Sequence, residues 1–174
     1  MDESRAWLEQ AKSDRAAAER FCGDKDDTQW CHAIAKCQQA VEKAVKAIVA
    51  AAPRVGISTK KIGYDHTVKH FVSGLIHSPR GKKNSIVNRL SILFNEETRA
   101  SIDSLEELIP KQPPPGTPHR RNTEYPFDTP HNGWTCPAAH GVFLSSEVQR
   151  FRKLSYRIVD GADKIVEAIR LAPR

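Results

Sequence analysis

The chain has 174 residues, with 27 Lys and Arg against 21 Asp and Glu, a formal charge of +6, and 39% hydrophobic and 7% aromatic content. That length is enough for one domain with its own core, held without disulfides or metal. No apolar run approaches the ~20 residues of a membrane span, and the charged, amphipathic opening MDESRAWLEQ excludes a secretory signal, so a cytoplasmic protein is expected. The positive excess favours anionic partners such as RNA, a nucleotide or an acidic protein.

Helical periodicity predicts a first helix from Glu3 to about Cys22, with Trp7, Leu8, Ala11, Ala18 and Phe21 inward. GDKDD breaks it, and Asp26, Asp27 or Thr28 can cap the next helix. That helix is expected from Thr28 to about Ala52, ended by Pro53. It carries two stripes at steps of three and four. Trp30, Ile34, Cys37, Val41, Ala44, Val45 and Ile48 form an apolar one; His32, Lys36, Gln39, Lys43 and Lys46 form a polar one on the far side. Glu42 lies beside the cationic line. Three readings of the polar stripe stand together. It can line a phosphate-binding groove with lysines as point charges. It can be a solvated face. Or Gln39 and Glu42 can hold the long loop further on.

After a basic pair, Lys60 and Lys61, Asp65 can cap a short third helix, His66 to Ile76, with Val68, Phe71, Val72 and Leu75 inward. His66 and His70 are one turn apart, a spacing that suits an acid–base or metal pair; the plainer reading is a cap and a half-buried ring. SPRGKKN is a basic turn. A fourth helical region spans Ser85 to Ile109, and its pattern weakens across NEETRAS, which marks a break or two helices.

From Pro110 to Gly141 there are eight prolines and no sustained period. A loop that long is often functional. Tyr125 or Trp134 can stack a base there while Arg120 and Arg121 hold phosphates. Alternatively Tyr125, Phe127, Trp134 and Phe143 anchor the loop and leave the arginines exposed. The last helix is expected from about Leu144 to Leu171, capped by Ser145 or Ser146. The four cysteines have no framework spacing, so free thiols are expected, with Cys37 in the core. Cys136 and His140 supply two zinc ligands at most, and Cys31 and His32 would have to complete the set, so no metal site is expected. The expected fold is all-α: one domain over 1–174, an up-and-down antiparallel bundle of four to five helices, with an excursion over 110–143 before the last helix.

The order of several segments resembles the HEPN domains (higher eukaryotes and prokaryotes nucleotide-binding). WLEQAKSDRAAAE opens the chain; QQAVEKAVKAIV is similar to that family's second-helix core; GYDHTVKHF looks like its histidine-containing helix entry; TEYPF stands where the family has RYP. The resemblance implies a helical bundle, often dimeric. Some members are metal-independent RNases, many of them paired with a minimal nucleotidyltransferase in toxin–antitoxin or defence systems; others bind nucleotides or proteins without chemistry. The RNases carry an arginine followed, after four to six residues, by a histidine. None of the seven histidines here has an arginine at that spacing, and Glu124 replaces the arginine of RYP.

The expectation is therefore a homodimeric module that binds RNA or a nucleotide through His32, Lys36, Gln39, Lys43, Lys46, Arg121 and Tyr125, needs no cofactor and partners a nucleotidyltransferase. A divergent RNase using His66 or His70 with Arg120 or Arg121, or a protein-interaction module docking through the long loop, are the alternatives.

Overall fold

The first helix, α1 (Glu3–Cys22), starts where its sequence supplies a cap: the Asp2 carboxylate accepts from the Arg5 amide at 2.9 Å. In a computed structural model that describes residues 2–23, 26–57, 59, 68, 72, 85–109, 120–129 and 133–172, α1 ends at Gly23, whose amide donates to the Glu19 carbonyl at 3.1 Å. Asp26 then caps a 3-10 turn, Asp27–Gln29, which leads into α2 (Trp30–Ala51).

Helix α2 is the centre of the molecule and packs on α1 and on the last helix. Its expected apolar stripe is buried except for the half-buried Trp30, and Ala33, Ala40 and Ala47, seven residues apart, are buried beside it. These small side chains on the second flank let α1 approach closely. Pro53 cannot continue the helix; the backbone tightens into a 3-10 helix, Ala52–Val55, and turns at Gly56, whose φ of 75° suits a residue without Cβ. Val68 and Val72, one turn apart, have helical backbone and are buried, as their expected stripe requires. His66, His70 and the rest of that expected third helix lie outside the described residues.

The weak pattern across NEETRAS is a real break. Helix α3 (Ser85–Leu93) ends, and Asn95 caps α4 (Glu96–Glu106) by accepting from the Thr98 amide at 2.9 Å. Helix α5 (Ser145–Leu171) closes the bundle, burying Val148, Phe151, Ile158, Ile165 and Ile169 among others. Gly161 has a packing reason: a Cβ there would lie 2.4 Å from Leu93 Cδ1, so its absence lets α3 lie against α5. Neither Ser145 nor Ser146 caps α5, contrary to expectation. The cap position is Leu144, and the Glu147 carboxylate reaches back to accept its amide at 2.9 Å.

The fold is thus an all-α bundle, with five α-helices and one two-stranded hairpin among the described residues. The excursion, expected as a long loop without sustained period, contains a short hairpin: β1 (Phe127–Thr129) pairs antiparallel with β2 (Gly133–Thr135), Asp128 opposite Trp134. No helix among the described residues is long and apolar enough to cross a membrane.

Candidate nucleotide- and RNA-binding surfaces

Beyond the exposed His32, the polar stripe of α2 is half-buried and does not face open solvent. It lies along α1, and an acid from α1 occupies it. Asp14 falls between Ala11 and Ala18 on the buried stripe of α1, and its side chain is only 5% exposed. Lys36 Nζ donates to its Oδ1 at 3.1 Å, Lys43 Nζ to its Oδ2, and Lys36 also donates to Gln39 Oε1 at 2.8 Å. Burial pushes the Asp14 carboxyl up, but the Lys43 and Lys36 ammoniums outweigh that and hold it below its ordinary value. Lys46 pairs with Glu42 at 2.5 Å and sits over the Trp7 ring, 5.1 Å from its centroid. His32, exposed, packs its ring against Phe21 at 5.7 Å. A stripe read as one surface is therefore a seam. Its lysines neutralise a buried carboxylate, which costs several kcal/mol to bury unpaired.

Among the described residues Gln38 is the α2 residue seen to bond the excursion, while Gln39 turns to Lys36. Gln38 Nε2 donates to the Leu105 carbonyl at 2.8 Å, and its Oε1 accepts from the Thr123 hydroxyl at 3.4 Å. The Thr123 amide donates to the Leu108 carbonyl at 3.3 Å. Next to it, buried Asn122 folds the chain on itself: Oδ1 accepts from the Glu124 and Tyr125 amides, and Nδ2 donates to the Arg120 and Tyr125 carbonyls.

This turn decides the fate of the loop's functional candidates. Arg121 is spent on structure: Nη2 donates to Glu147 Oε2 at 2.7 Å, and the guanidinium lies 4.6 Å from the Phe143 centroid. Arg120 is exposed. Phe127 and Phe143 anchor the loop, as expected, but Tyr125 and Trp134 do not; they are 49% and 68% exposed. For the two on the hairpin alternation explains the difference, because Phe127 takes the inward face of β1 and Trp134 the outward one of β2; Tyr125 lies before β1, in the Asn122 turn.

The far end of the excursion docks on the entry to α2. The Asp27 carboxylate bonds His140 Nδ1 and accepts from the Gly141 amide at 2.9 Å. Hydrogen bonds from Gly141 and His140 hold Asp27 below the usual carboxylate range, and Asp27 in turn raises His140. Asp26, Asp27 and His140 offer ligand atoms within 4.8 Å of one another, the one such grouping among the described residues; Cys31, His32 and Cys136 do not join it. Both acids already cap or anchor backbone. Burial pushes the Cys37 thiol up to about 12, which makes it an inert core residue.

A groove of ≈ 880 Å³ runs between α1 and α5 past Lys12, Arg15, Arg20 and Tyr156. Arg15 lies 4.6 Å from the Tyr156 centroid and pairs with Asp160 at 2.5 Å; Lys12 pairs with Asp163, and Arg152 with Glu19. Its charges cancel locally, so it offers a polyanion little. Sequence reading missed Asp14 and Gln38. For Asp14 the signal was available: an acid three residues after one buried alanine and four before another.

Residues 4–108 match the family model of the HEPN domain. No match was found among curated proteins or among solved structures. The matched stretch runs from the start of α1 past the end of α4 and so includes the Asp14–Lys36–Lys43 seam and the α4 cap. With more than half of its length inside that match, and with the helical bundle that the match requires, the chain belongs to the HEPN domain family.

Proposed function

We propose that this HEPN domain binds RNA or a nucleotide without cleaving it, as a homodimer that works beside a minimal nucleotidyltransferase in a toxin–antitoxin or defence setting. The family, one of nucleotide-binding and RNase-type domains, supports the ligand class. Dimer and protein partner rest on the resemblance alone.

The observation that carries the binding is where the charge lies in the sequence. Between Ser58 and Asn84 fall six Lys and Arg and a single acid, so this stretch holds +5 of the net +6. The rest of the chain is near balance, and many of its cations meet acids: Lys36 and Lys43 meet Asp14, Arg121 meets Glu147, and Arg157 meets Glu97. A concentrated positive stretch gains affinity for phosphates by counterion release. Two features argue against cleavage: no histidine follows an arginine at the family's catalytic spacing, and Arg121 is committed to Glu147.

Fluorescence anisotropy with single-stranded and hairpin RNA, in EDTA and at low salt, tests this reading. Binding is expected that weakens steeply with added salt and leaves the RNA intact on a gel. The combined change Lys60→Glu, Lys61→Glu, Lys82→Glu and Lys83→Glu is expected to weaken it by roughly tenfold or more. Failure of the parent protein to bind RNA or a nucleotide at low salt would sink the binding, and EDTA-resistant cleavage would replace it with the RNase reading.

A further inference from the structure

The end of the bundle where α2 stops, α3 starts and α5 finishes holds a groove of ≈ 560 Å³. Arg54 borders it from the 3-10 helix after α2, Ser85 and Arg89 from one face of α3, and Val55, Ile86 and Leu171 make an apolar wall. Its volume falls within the range of ligand clefts, roughly 300–1,000 Å³.

Among the described residues, no acid lines this groove. That separates it from the α1–α5 groove, which contains Glu19; the neighbouring groove at the start of α1 contains Asp2 and Glu3 and shares Arg54 with this one. Among the described residues neither Arg54 nor Arg89 is ion-paired, a state shared by Arg5, Arg20, Arg99, Arg120 and Arg150, whereas Arg15 and Arg170, in the other two grooves, both are. The wall carries a second anomaly: Leu171 is 68% exposed, an aliphatic side chain left to water beside two unspent guanidiniums. Chain order adds a third point. In the sequence, the lining residues Val55 and Ser85 stand shortly before and directly after the stretch that holds most of the net charge.

We propose that this groove is a binding site for a phosphorylated nucleoside, and the inference rests on the RNA- or nucleotide-binding reading above. The Arg54 and Arg89 guanidiniums take the phosphate, each presenting planar paired donors to its oxygens. Ser85 adds a hydroxyl and, as the first residue of α3, an amide with no partner inside the helix. The base covers Val55, Ile86 and Leu171 and removes them from water. A free nucleotide and the phosphorylated end of an RNA share this chemistry. The competing role for the arginines is to offset the carbonyls at the C-terminal end of α5, which would give them an effect on stability and none on binding.

Calorimetric titration of the full chain with AMP, with adenosine, and with a short 5′-phosphorylated single-stranded RNA decides between these. AMP is expected to bind more tightly than adenosine, and Arg54→Ala with Arg89→Ala to weaken AMP or RNA by at least about tenfold. Arg20→Ala, on the other groove, is expected to change neither. Methyl resonances of Val55, Ile86 and Leu171 in the parent protein are expected to move with AMP, a readout that needs no variant to fold. RNA bound far more tightly than AMP, with the same loss in the double variant, assigns the site to an RNA end; the reverse assigns it to a free nucleotide. A parent protein that binds while the double variant binds equally well overturns the site and leaves the function standing. A parent protein that binds neither probe overturns the function itself.

Discussion

The lysines of α2 and the arginines at the end of the bundle carry the same charge into opposite surroundings. Lys36 and Lys43 converge on a carboxylate that is almost wholly out of water, while Arg54 and Arg89 border an open groove with no acid among its described lining residues. A phosphate approaching the lysines would have to displace Asp14 and strand it in the seam between α1 and α2, at a cost of several kcal/mol. A phosphate approaching the arginines has no acid to displace among the described lining residues. The number of cations on a helix face thus says less than the position of the nearest buried acid. In this bundle the acid stands on the neighbouring helix.

The largest effect that can break this comparison comes from removing the lysines. Lys36→Met with Lys43→Met leaves Asp14 buried without a counter-charge and is expected to cost about 3 kcal/mol in urea unfolding. Adding Asp14→Asn should recover most of that, because the uncompensated charge is then gone. Neither variant should change RNA affinity once folded; a loss of binding that tracks Lys43 instead would return the stripe to the binding surface. The same triad fixes an acid limb. The folded-state value of Asp14 lies below its ordinary 3.8, so its contribution is complete above that value and is lost as pH falls through the lowered one. In the Asp14→Asn background that part of the acid sensitivity should vanish, which a stability profile against pH will show.

Periodicity and capping chemistry made the bundle readable. The limits of α1, the apolar face of α2 and the break before Asn95 all follow from local rules, because each is decided within a few residues. What escaped depends on contacts between elements. Asp14 reads as one more polar residue of α1 until α2 is placed beside it. Gln38 and Gln39 differ by one residue, or about a quarter turn, and only packing shows that the first reaches Thr123 and the second turns to Lys36. The Phe127–Thr135 hairpin has three-residue strands, too short for a period-two pattern to declare itself. Arg121 looked available because its acid, Glu147, lies across the loop on α5. Arg54 and Arg89 form no motif at all, since they meet only where three elements end.

A middle-sized effect tests the anchoring of the excursion. Gln38→Ala removes the bonds to Leu105 and Thr123 and is expected to cost about 1 kcal/mol. Hydrogen exchange should quicken at the Thr123 amide, which donates to Leu108, and stay unchanged in the α1–α2 seam. Equal loosening of both regions would mean that the excursion is part of the core and not a layer tied onto it.

The smallest effect belongs to the other anchor, where Asp27 holds His140 and Gly141. His140 is raised above 6.5 by the Asp27 carboxylate, so the charged pair is complete below the ordinary histidine value and is lost as pH rises through the raised one. The His140 side chain is 80% exposed, so solvent screens the pair and global stability should not register its titration. The local readout is sharper. The Gly141 amide donates to the same carboxylate, so its chemical shift should titrate with His140, at a midpoint above 6.5. Asp27→Asn should bring that midpoint back to the ordinary value and flatten the Gly141 response. A midpoint that ignores Asp27 would mean the carboxylate holds Gly141 alone, and the end of the excursion would then dock on α2 through its backbone, with no charge involved.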